Sequence, residues 1–97
     1  MDFTIKNLQK SIGEISREIG YFIIDNNGEQ INMVRKLTGQ NYPRFHAYVK
    51  QQAQNFIFSL HLDQKQPSYS GPQHAHSGEY FGPVVENEAE RIKQSLA

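Results

Sequence analysis

The chain has 97 residues, with ten Lys and Arg against ten Asp and Glu, and no cysteine. Its length sets one domain, 1–97, around one core, and the missing cysteine excludes disulfides and thiolate metal sites. Formal neutrality argues against a strong non-specific grip on nucleic acid, which needs many cations against phosphate, and it leaves little electrostatic protection against a homodimer.

In the first segment Ile5, Leu8, Ile12, Ile15 and Ile19 recur at three- and four-residue spacing, the mark of one apolar helical stripe. The spacing predicts a helix from Thr4 to Ile19, closed by Gly20 in the left-handed conformation. Tyr21 to Asp25 is short, aromatic and β-branched, and Asn26-Asn27-Gly28 follows as a turn signal, so this run and Ile31 to Leu37 read as a hairpin. A second hairpin is predicted from Arg44–Lys50 and Asn55–Asp63, with Gln51-Gln52-Ala53-Gln54 as its loop. That loop sets Val49 against Phe56, Ala47 against Phe58 and Phe45 against Leu60, an apolar side throughout. The other side pairs Tyr48 with Ile57, His46 with Ser59 and Arg44 with His61, and is mostly polar.

Residues 64–82 form a long polar loop containing His, Gly and Pro, with no helical or strand pattern. A loop of that length in a small domain is usually functional or disordered. Pro83 then suits the first turn of a closing helix. Val85, Ala89, Ile92 and Leu96 are its apolar stripe, while Glu86, Glu88 and Glu90 precede Arg91 and Lys93 in the order that complements the helix dipole. The expected fold is α+β with element order α-β-β-β-β-α. It is a two-layer sandwich in which a four-stranded, mainly antiparallel sheet carries both terminal helices on one face. The other face is left open.

All four histidines fall between positions 46 and 76. His46 and His61 share the polar face as diagonal neighbours on adjacent strands, a separation of about 7–8 Å at the backbone. His74 and His76 put two imidazoles on one side of any extended segment, with Glu79 close behind and Asp63 at the end of the strand that carries His61. If the loop folds back, His61, His74 and His76, then His46 and Glu79, are the metal ligands this pattern proposes. Such nitrogen and oxygen donors suit a divalent transition metal such as zinc or nickel. The plainer reading makes His74 and His76 polar loop residues, and His46 and His61 half-exposed strand residues.

Two other chemistries compete. His61 with Asp63, or His46 with Ser59 and Tyr48, has the makings of a metal-free general acid or base. No Gly-x-Ser-x-Gly elbow accompanies Ser59, and neither substrate nor reaction can be named, so enzymatic activity stays open. Alternatively, Arg44, Tyr48, Lys50 and Lys65, with Tyr69 and Tyr80, provide cations and aromatics for an RNA- or protein-binding surface. Walker, GxGxxG and EF-hand patterns are missing, which leaves no indication of an organic cofactor.

Met1–Lys6 lacks the apolar core of a signal peptide, and the longest purely apolar run is Tyr21-Phe22-Ile23-Ile24. A membrane span takes about 20 residues. With the missing cysteines, these features predict a cytoplasmic protein with no membrane partner.

Overall fold

A computed structural model describes residues 1–64, 78, 79 and 82–97. In chain order the elements are β1 (Asp2–Ile5), α1 (Ile12–Ile19), β2 (Phe22–Asn26), β3 (Ile31–Lys36), β4 (Arg44–Gln52), β5 (Asn55–Asp63), β6 (Gly78–Glu79) and α2 (Pro83–Leu96). The α+β class and the helix-covered antiparallel sheet are as expected, but the strand count is not. Five strands run in the order β1-β5-β4-β3-β2, and the two-residue β6 also pairs with β5. Because β4 occupies one side of β5 throughout, β1 (opposite Phe56–Ser59) and β6 (opposite Leu62 and Asp63) share the other.

The extra strand comes from the segment predicted as the start of the first helix. Asn7 adopts a left-handed φ of 56°, and its backbone N–H donates to the Asn55 side chain, so no helix passes through it. The helix begins instead after Ser11. Its side chain accepts from the Glu14 backbone N–H while the Glu14 carboxylate accepts from the Ser11 backbone, a reciprocal cap that satisfies two orphan donors. Released from the helix, Phe3 and Ile5 alternate inward and pack against the core from β1. Gly20 closes α1 at φ 80°, as expected.

The second hairpin is tighter than its sequence suggests. Pairing continues to Gln52↔Asn55, which leaves Ala53 and Gln54 as the turn, with Ala53 at a positive φ of 56°. Two more residues in the ladder slide the register by two. Val49 meets Phe58, Ala47 meets Leu60, Phe45 meets Leu62, and on the other side His46 meets His61 directly while Tyr48 meets Ser59. A shift of two preserves the side-chain alternation. The core face is therefore as predicted, but the partners across it are different.

One face of the sheet packs Ile31, Met33, Phe45, Ala47, Val49, Phe56, Phe58, Leu60 and Leu62 against Ile15, Ile19, Val85, Ala89, Ile92 and Leu96 of the helices. Each fully buried large side chain contributes about 1.5–3 kcal/mol by leaving water. Through this interface runs one charged group that the predicted apolar stripe does not include. Glu88 is buried and accepts hydrogen bonds from the Tyr21 hydroxyl at 2.6 Å, from Arg35 at 3.0 Å twice, and from Arg91 at 2.8 and 2.9 Å. Arg91 also donates to the Ile19 carbonyl at 2.6 Å, where α1 ends. Burial alone would raise the Glu88 carboxyl, but hydrogen bonds from Arg91, Arg35 and Tyr21 prevail and bring it down to about 2. Burial and the Glu88 contact push the Tyr21 phenol well above its usual range. The carboxylate thus ties α2 to Tyr21 and to β3, and Arg91 extends the link to the end of α1, with every strong acceptor site of Glu88 filled.

Among the described residues, no helix is long and apolar enough to cross a membrane.

Candidate metal centre

The face away from the helices carries Arg44, His46, Tyr48 and Lys50 on β4, Ile57, Ser59, His61 and Asp63 on β5, and Asn32, Val34 and Lys36 on β3. The sequence predicts an open surface here with half-exposed histidines. Instead His46 is 8% and His61 5% exposed, and Val34 between the outer rows is buried as well. The direct pairing of His46 with His61, rather than the predicted diagonal, brings their ring centroids to 4.8 Å. Tyr48 stacks on both, at 4.4 Å from His46 and 5.5 Å from His61.

Asp63 is where the polar contacts converge. One carboxylate oxygen lies 2.9 Å from His61 Nε2, and the other lies 3.4 Å from His46 Nδ1 and 3.5 Å from Arg44 Nε. Burial by itself would raise this carboxyl, yet hydrogen bonds from His46 and His61 and their charges outweigh it, holding Asp63 well below the usual carboxylate range. His46, His61 and Asp63 each offer one ligand atom, all within 4.8 Å of one another.

Asn32 was not among the residues singled out in the sequence, though it touches the cluster. Its side-chain oxygen lies 3.2 Å from His46 Nε2. An amide oxygen only accepts, so the contact is a hydrogen bond in the tautomer that carries a proton on Nε2. The pairing Asn32↔Tyr48 places Asn32 one row from His46, and the strand register needed to see this is a tertiary fact.

The remaining predicted site residues are distributed differently. Glu79 pairs through its backbone with Leu62, a core-face position, while Gly78 takes the place opposite Asp63. Lys65, Tyr69, His74, His76 and Tyr80 lie outside the described residues. Lys50 is exposed at the far end of β4. Arg44 is held over the Tyr42 ring at 4.6 Å and faces Asp63, and the Tyr48 ring is stacked on imidazole. Two members of the predicted binding surface are therefore occupied within the cluster. His46 has Asn32 and Asp63 as partners, and Ser59 sits opposite Tyr48 rather than His46, which removes the predicted His46–Ser59 pairing.

No family model, curated protein or solved structure matches this chain.

Proposed function

We propose that the domain binds one divalent transition metal, zinc or nickel, through His46, His61 and Asp63. The observation that supports this most is the spacing of the three donors. Bonds of about 2.0–2.1 Å in tetrahedral geometry set neighbouring donors about 3.3 Å apart. The two nitrogen-to-carboxylate distances, 3.4 and 2.9 Å, are made to different oxygens of Asp63 and each is close to that value, and one ligand atom from each of the three residues lies within 4.8 Å of the others. The Asn32–His46 contact adds the outer partner that a ligating imidazole ordinarily has, donating its second N–H to an oxygen and thereby orienting the ring. Imidazole and carboxylate together suit borderline divalent ions better than calcium, which takes oxygen donors. His74 and His76 are the additional imidazoles the sequence offers.

Titration of the apo protein with zinc or nickel, followed by calorimetry and thermal unfolding, tests the reading. Binding at one ion per chain is expected, with stabilisation of about 2.7 kcal/mol at a free ion concentration of 100 times Kd. His61→Ala and Asp63→Ala, shown to be folded by circular dichroism, lose it. A His74→Ala/His76→Ala variant measures what the loop pair adds. Metal uptake unchanged by His61→Ala, or no uptake by the wild type, sinks the reading.

A further inference from the structure

We propose that the ion is held together with a small oxyanion, bearing a phosphate or carboxylate group, that bridges its outward side to Arg44. This rests on the metal reading above and names the ligand class of that same site.

The first observation is directional. His46 and His61 are opposite one another on adjacent strands, and Asp63 is two residues along from His61. All three donors therefore rise from one face of one sheet and can cap only one side of an ion. Zinc or nickel takes at least four ligands, so the side away from the sheet is left for something else.

The second observation is charge. A dication beside Arg44, balanced only by the Asp63 carboxylate, leaves the cluster two charges positive, and a bound ion dominates the local field. Among the described residues, no second carboxylate comes within ligand distance of the three donors. Residues 64–77 contain no Asp or Glu and add Lys65. Asp2, exposed on β1, is opposite Ser59, one step further along β5, and is not within ligand distance of the three donors.

The third observation is Arg44 itself. Its Nε is buried and, among the described residues, has no hydrogen-bond acceptor. The Asp63 oxygen at 3.5 Å is beyond the usual range of about 2.7–3.2 Å for such a bond. Stacking on Tyr42 at 4.6 Å holds the guanidinium in place. It is a positioned planar donor beside the donor triad, and guanidinium pairs with phosphate or carboxylate through two parallel hydrogen bonds. An oxyanion with one oxygen on the ion and others toward Arg44 neutralises the surplus and completes the coordination.

The test uses the full chain in a non-coordinating buffer, wild type and Arg44→Gln. Each is first titrated with nickel alone. The nickel-loaded and metal-free forms are then titrated separately with inorganic phosphate and with acetate. Nickel alone should bind Arg44→Gln at least as tightly as wild type, because a cation next to the ion has been removed. Phosphate or acetate should bind the loaded wild type at least tenfold more tightly than either the metal-free protein or loaded Arg44→Gln. The stronger of the two anions identifies which group the site takes. Equal anion affinity with and without metal, or in wild type and Arg44→Gln, overturns the bridge while leaving the metal site standing. No nickel binding in the first titration overturns the metal reading, and the bridge with it.

Discussion

Replacing Glu88 by Gln keeps the size of the side chain and removes the charge on which Tyr21, Arg35 and Arg91 converge. The loss can be worked from the carboxyl itself. Its pKa falls from an ordinary 4.5 to about 2, and at about 1.4 kcal/mol per tenfold this is about 3 kcal/mol of folded-state preference for the charged form. Breaking a fully buried pair would cost about 3–5 kcal/mol. Here the Arg35 and Arg91 side chains are 31% and 38% exposed, so the freed guanidiniums can turn to water, and about 2–4 kcal/mol is expected at pH 7. The pH dependence follows from a depressed carboxyl. Its contribution is fully present above the unfolded pKa of 4.5 and is lost as pH falls through the folded value near 2. Linkage then predicts that the gap between wild type and Glu88→Gln narrows by about 2 kcal/mol between pH 7 and pH 3. Urea unfolding of both proteins at the two pH values measures it. A gap below about 1 kcal/mol at pH 7, or one equal at both pH values, refutes the assignment of Glu88 as an ionised clamp.

Two further substitutions check the fold on which the site depends. Ser11→Ala removes the side-chain acceptor for the Glu14 backbone N–H, and urea unfolding should show a loss of about 1 kcal/mol; no change would mean that the cap does not set the start of α1. Phe58 is fully buried and stacks on Phe3 at 5.0 Å. Phe58→Ala should cost about 3–5 kcal/mol through lost burial and the cavity left behind, lowering Tm by roughly 12 °C or more. A loss below about 1 kcal/mol in a thermal scan would contradict the packing of β1 on β5.

The elements most legible in the sequence were those whose apolar residues recur with one period and end on a turn signal. The closing helix, the stripe Ile12–Ile15–Ile19, both hairpins and the core face of β4 and β5 all belong here, because periodicity reports which side of an element is buried whatever it is buried against. The false start of the first helix came from Ile5 and Leu8 falling in phase with the real stripe. The Ser11-x-x-Glu14 cap was a local signal against it. Glu88 was read only for its charge, although it falls three residues after Val85 and four before Ile92, on the apolar side of its helix.

What the sequence by itself determined is thus the class of fold, the identity of the core face and the collection of His46, His61, Asp63 and Arg44 on the opposite one. Alternation along a strand has a period of two, so these assignments survive an error of two in register. Tertiary structure decided which residues face each other. The two-residue turn at Ala53-Gln54 placed His46 opposite His61, and pairing with β3 put Asn32 beside His46. The structure also buries the two histidines that the sequence leaves half-exposed. The distances between donors on different strands are set by register, which is not a property of any single segment of chain.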